Sequence, residues 1–184
     1  MWKVIRKTRA TPLKLITMEQ AKMQLRITHD HQNQHIEDII EEASDWVERY
    51  SGRSLAPCEL VGSASNWDEI EEITQGPIKN IVSVKYIDPS NTIKDLPLEQ
   101  VDLDNRELTA SIYFIGTLPE VNSQKHNAIE ITMTAGYDEI EIPRIVKNAV
   151  RLTTSTIFIN GGDYVDERNT FAKNQIKAIS IPHV

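Results

Sequence analysis

Three histidines and an aspartate crowd one short stretch: His29, Asp30, His31 and His35. Imidazole and carboxylate are common ligands of divalent metals, and a spacing of four residues puts His31 and His35 on one helical face. The glutamate that follows the first histidine of a zinc-protease helix is absent, and no third histidine follows nearby. These residues are therefore expected to form a polar, exposed helix start. Paired carboxylates are abundant elsewhere, but acid catalysis needs one of them in apolar surroundings that raise its pKa. No carboxylate of this sequence stands in such a context. Cys58 follows Pro57 with no organised histidine partner and reads as a structural thiol. Neither a Gly-x-Ser-x-Gly elbow nor a phosphate-binding glycine loop occurs. No catalytic residue, cofactor or metal is expected.

The most regular chemistry is a row of acids: Glu37, Asp38, Glu41, Glu42, Asp45 and Glu48. Between them Ile36, Ile39, Ile40, Ala43, Trp46, Val47 and Tyr50 recur at three- and four-residue spacing. At about 100° per residue the two sets occupy opposite arcs of one helix. That helix is expected over 31–51, ending at Gly52. Its apolar arc (Ile36, Ile39, Ile40, Trp46, Val47, Tyr50) is a core element, and its acidic ridge must meet water or a partner. A preceding helix over 17–27 carries a capping box, Thr17 with Gln20. A third, over 143–160, opens on Pro143, a favoured first residue. Ile145, Val146, Ala149 and Val150 form its inner face, and Asn160-Gly161-Gly162 ends it.

Residues 55–140 differ in character. Runs at 81–87, 111–115 and 128–135 are β-branched and aromatic, partly alternating, and are separated by Gly76-Pro77, Asp88-Pro89, Gly116 and Leu118-Pro119. Four to six antiparallel strands are expected there, and the acidic stretch 68–72 is expected to be solvated. Trp2 and Trp67 are the less constrained tryptophans and could anchor an interface. The expected fold is α+β: mainly a helical bundle with three principal helices and an inserted small antiparallel β element. Around it stand a basic arm over 1–16, with Lys3, Arg6, Lys7, Arg9 and Lys14, and a tail over 161–184. In the tail Ile176, Ile179 and Ile181 alternate with polar residues. They read as a short strand or extended segment that docks back on the chain or adds to a partner.

Composition bounds the classes. The 184 residues are 40% hydrophobic and 26% charged, which is ordinary for a globular domain. A net charge of −7 argues against generic affinity for nucleic acid. A single cysteine excludes an internal disulfide and fits a reducing compartment. No apolar run is long enough to span a membrane, and the basic start lacks the apolar core of a signal peptide.

In order, the segments Thr17–Ile27, Ile39–Arg53, Gly76–Asp88, Thr134–Tyr137 and Ile142–Val150 resemble the head–tail connector proteins of tailed bacteriophages and prophages, also called adaptor or head-completion proteins. The resemblance covers residues 12–160, and its most specific parts are Trp46 to Arg53 and Pro77 to Asp88. It implies a non-enzymatic structural protein that forms a ring of about a dozen copies at the portal vertex. The implied partners are further copies of the chain, the portal protein and the next tail-side connector; packaged DNA passes through without specific binding, and no membrane is involved. The implied place is the head–tail junction of the virion, with assembly in the bacterial host cytoplasm. In related adaptors the C-terminal segment engages the portal. Here the pattern departs: Ile157-Phe158-Ile159 runs into Asn160-Gly161-Gly162-Asp163, and Asp166-Glu167-Arg168 is the nearest counterpart of the family's Arg-Glu pair. DNA must slide through such a channel, and carboxylates repel phosphate. The ridge Glu37 to Glu48, or the 68–72 cluster, is a candidate lining; a plain solvated face and a subunit contact are the alternatives. Two other functions stay open on the residues: a DNA-packaging accessory that binds nucleic acid through the basic arm, and a small enzyme with an unidentified site in the β region.

Overall fold

The structure, a computed structural model, describes residues 2–70, 72–106, 109–160 and 170–181. The chain divides into two compact units. One is formed by the segment through Ala10 together with Pro57–Gly136; the other by Thr11–Ala56 and the chain from Tyr137 onward.

Four helices build the second unit: α1 (Met18–Leu25), α2 (Asn33–Ser51), α3 (Arg144–Asn160) and α4 (Thr170–Ile176). α1 starts on the capping box: the Gln20 amide donates to Thr17 Oγ1 at 3.3 Å, and the Thr17 amide donates to Gln20 Oε1 at 3.3 Å. α2 stops because Gly52 takes a left-handed conformation, φ 71°, which lets its amide close back on the Glu48 and Arg49 carbonyls. The Pro143 carbonyl accepts from Val146 and Lys147, so α3 begins one residue after the proline. Ile36, Ile39, Ile40, Ala43 and Val47 of α2 are buried with Val146, Ala149, Val150 and Ile157 of α3. Leu13, Leu15 and Ile16 seal the same core, so much of the basic stretch's end is interior. Trp46 and Tyr50 are half-buried and stack at 5.3 Å between ring centres.

The other unit holds two antiparallel sheets. Its strands are β1 (Lys3–Thr8), β2 (Cys58–Ala64), β3 (Glu72–Ile73), β4 (Ile78–Ile87), β5 (Ile93–Leu96), β6 (Val101–Asn105), β7 (Ala110–Phe114) and β8 (Ile129–Ala135). Five strands run in the order β1-β2-β8-β4-β5 and three in the order β3-β7-β6. β8 is the axis: Ile129, Ile131, Met133 and Ala135 are buried and alternate with half-buried Glu130, Thr132 and Thr134. Its partners bring Leu60 opposite Met133 and Val84 opposite Ile131. Ile73, Ala110 and Ile112 of the smaller sheet join this core, as does Cys58. Gly62 is required here: a β-carbon on it would lie 2.1 Å from the Trp2 ring, which lies across the strand.

The expectation of a mainly helical bundle is corrected. The described residues hold eight strands in two sheets and are only 34% helical. Strands were expected over 55–140, but two features concealed how far the sheets extend. β4 is bulged between Ile78 and Asn80 and again between Ile81 and Ser83, which breaks its apolar alternation. β1 is almost wholly exposed, so it carries no apolar signature; it occupies Lys3–Thr8 of the expected arm. Of the stretch expected as a short strand or extended segment, Ile176 closes the helix Thr170–Ile176, and residues 177–181 follow it without forming a strand.

Candidate functional site

The six carboxylates of the expected ridge form two rows rather than one. Glu37, Glu41 and Glu48 are separated by four and seven residues, so they fall nearly in line on one flank of α2. Ser44 lies on the same line. This flank is occupied by the chain itself. Lys14 donates to Glu37 and stands 3.4 Å from Glu41. The neighbouring Leu15 amide donates to Ser44 Oγ at 3.1 Å. Glu48 is buried, and its carboxylate accepts the Leu55 amide at 2.8 Å. Glu48 therefore leaves the surface ridge: it holds the loop that follows α2.

The second row is Asp38, Glu42 and Asp45, and it faces solvent. Asp38 takes a hydrogen bond from Gln34 at 3.0 Å, and Asp45 pairs with Arg49 at 2.6 Å. Among the described residues Glu42 has no such partner. The two rows also differ electrically. The hydrogen bond from Lys14 to Glu37 raises the lysine's pKa, which fixes a positive charge on the flank row. At the helix start, the Lys22 ammonium bonds Asp30 at 2.6 Å and holds its carboxyl below the usual range.

In the 68–72 stretch, Glu69 Oε2 accepts the Ser65 amide at 2.8 Å, Ile70 is buried and Glu72 begins β3; Glu71 lies outside the described residues. Of the tail isoleucines, Ile176 ends α4 and is buried, and Ile179 packs on the helical core. The Ile181 amide donates to the Ser51 carbonyl at 2.9 Å, and its side chain approaches the Gly52 position. Arg53 Nε donates to the Ile179 carbonyl. The loop after α2 and the chain after α4 are thus pinned together within this unit. Asp166, Glu167 and Arg168 lie outside the described residues, as do Gly161 to Asp163.

The histidines are not brought together as ligands. The His29 and His31 rings are 5.6 Å apart and tilted, while His35 lies 6.1 Å from the Phe158 ring. Among the described residues no group of three or more histidines, cysteines or acids is arranged to hold a metal ion. No helix among them is long and apolar enough to cross a membrane. Trp67 is built into the β unit: its Nε1 donates to the Pro119 carbonyl at 2.9 Å, and its ring meets Phe114 edge-on at 5.0 Å.

Sequence reasoning missed three polar residues that organise this chain. Lys14 is the counter-ion of the flank row, and Arg53 holds the segment after α4 through the Ile179 carbonyl. Asp88 knots the turn between β4 and β5. It accepts from the Thr92 amide at 2.9 Å and the Ser90 hydroxyl at 2.6 Å, and it pairs with Lys94 at 2.7 Å. The signal for Asp88 was present, since Asp88-Pro89-Ser90-Asn91 reads as a turn in the sequence.

A two-unit α+β chain with a charged helix face and a pinned C-terminal segment defines the class. A sequence model described as "Head completion protein" matches residues 14–181, and the chain belongs to that family. No curated protein sequence matches it. Solved chains share its fold at low identity, three of them as follows. One, from the virion of a native gene transfer agent particle, is 14% identical, with a TM-score of 0.75 over 100% of this chain and 97% of that one. A second, from the neck of an empty gene transfer agent particle computed with C6 symmetry, is 14% identical with a TM-score of 0.73 over the same shares. A third, from the neck of a native particle computed with C12 symmetry, is 13% identical with a TM-score of 0.66, covering 98% and 97%.

Proposed function

We propose that this chain is a head–tail connector that assembles as a ring on the portal vertex, bridges capsid to tail and forms part of the DNA channel. The observation that carries this reading is the family match over nearly the whole chain. Similarity of fold to chains from particle necks computed with cyclic symmetry supports a closed ring. Its partners are further copies of itself, about a dozen in all by the symmetry of such rings, the portal protein and the next tail-side component. It works in the virion after assembly in the host cytoplasm, without catalysis.

Asp38, Glu42 and Asp45 are the carboxylates suited to face passing DNA. Glu37 and Glu41 are partly compensated by Lys14, and Glu48 is interior. The segment from α4 to Ile181 is the candidate portal-facing piece, through exposed side chains such as Phe171 and Lys177, since Ile176 and Ile179 are taken up by the helical core. The test is binding of the purified chain to cognate portal vertices, followed by electron microscopy. Rings seated on the vertex are the expected result. A folded chain that does not bind the vertex, in particles whose heads still close, would sink the connector reading.

A further inference from the structure

Rings close through a contact that joins two different patches, because each copy meets one neighbour with one surface and the other neighbour with another. Of the four edge strands of the β unit, β1, β5, β3 and β6, two differ in charge, β1 being basic and β6 acidic. β1 has β2 on one side only, and β6 has β7 on one side only. β1 spans six residues and exposes Lys3, Ile5, Arg6 and Lys7, with no acid among its residues. β6 spans five residues and carries Asp102 and Asp104, with Glu99 exposed just before it. The nearest base on that side, Arg106, bonds Asp104 and leaves Asp102 and Glu99 uncompensated among the described residues. Apolar surface accompanies each edge. Ile5 is half exposed, and Tyr113, in register with Asp102, and Ile115 are exposed on and beside β7.

We propose that β1 of one copy docks along β6 of the next copy, and that this basic-on-acidic edge contact is the repeating joint of the ring. The proposal rests on the ring reading above. Charged edges guard a sheet against indiscriminate pairing. Here the guard is selective: β1 against β1 and β6 against β6 set like charges together, while β1 against β6 sets opposite ones. Strand addition supplies main-chain hydrogen bonds, and the charges set the choice of partner. The similar lengths of the two strands suit this pairing.

The test uses the full chain on portal vertices, with ring yield read by electron microscopy. Lys3→Glu with Arg6→Glu, and separately Glu99→Lys with Asp102→Lys, are each expected to cut ring yield at least about tenfold, because each sets like charges against each other at the interface. The chain carrying all four changes is expected to recover. Circular dichroism checks the fold, which exposed edge substitutions leave intact. As a second measurement, Arg6→Cys with Asp102→Cys is expected to give a disulfide-linked ladder of copies under oxidation; buried Cys58 does not compete. Full-yield rings from either single-edge reversal overturn the edge pairing and leave the ring reading standing. A wild-type chain that never forms rings on the vertex overturns both. Duplex DNA retained by the wild type and lost with the β1 reversal, while rings persist, assigns β1 to nucleic acid and also overturns the pairing.

Discussion

Glu48 and Asp88 are carboxylates that face inward, and each does a different job. Glu48 offers an acceptor to the Leu55 amide, which is buried after the end of α2. A buried amide without an acceptor is costly. Glu48→Ala is therefore expected to lose about 1–3 kcal/mol, and Glu48→Gln, which keeps an oxygen at the site, less. Urea unfolding of the two variants measures this; equal losses would place the cost in the charge rather than in the acceptor. Asp88 draws its stabilisation from ionisation. The Lys94 ammonium, the Ser90 hydroxyl and the Thr92 amide hold its carboxyl well below the usual carboxylate range. A depressed folded pKa stabilises the fold above the unfolded value, about 3.9, and that gain is lost as pH falls below it. Asp88→Asn is expected to melt below wild type at pH 7, with the gap narrowing from about pH 4 downward. A gap that stays constant down to about pH 2.5, well inside that window, would mean that hydrogen bonding, not charge, holds the turn.

At the scale of elements, what could be read in the sequence was set by how each element displays its apolar residues. α2 has one apolar arc and two polar flanks, so Ile36, Ile39, Ile40 and Val47 identify it directly. Its acidic side was harder. Periodicity separates apolar from polar, but it does not say which polar flank another segment covers. Lys14, Leu15 and Leu55 are the residues that cover it, and they come from other parts of the chain. α4 is short, its inward residues Ala172 and Ile176 are only one turn apart, and the alternating Ile176, Ile179 and Ile181 begin at its last residue, so it carries little helical periodicity of its own. β1 has almost no apolar pattern; Val4 and the adjoining Trp2 tie it to the core. That tie can be tested. Gly62→Ala would drive a methyl into the Trp2 ring and is expected to cost about 1–3 kcal/mol, as overpacking does. In the Trp2→Ala background the same change is expected to cost much less. If both backgrounds give equal losses, Trp2 does not lie on β2 in solution.

At the scale of the whole molecule, the balance of charge connects fold to function. The chain carries a net charge of −7, yet β1 holds Lys3, Arg6 and Lys7 with no acid, while outward acids line α2 and the region around β6. Such segregation has a purpose if DNA slides past one surface while copies join through others. Duplex DNA binds proteins by releasing counterions from phosphates that meet lysine or arginine, so an acidic wall keeps it mobile. Asp38, Glu42 and Asp45 form the row that can act this way without disturbing the core, because none of the three is buried. Replacing all three with lysine is expected to leave melting close to wild type and to leave ring assembly intact. DNA retention on the assembled rings should rise and should weaken steeply with salt, with a log–log slope of about −0.9 for each phosphate that a new lysine neutralises. In particles, DNA release should slow. Unchanged retention and release, with rings of normal yield, would place this row on the outside of the ring, where it serves solubility alone.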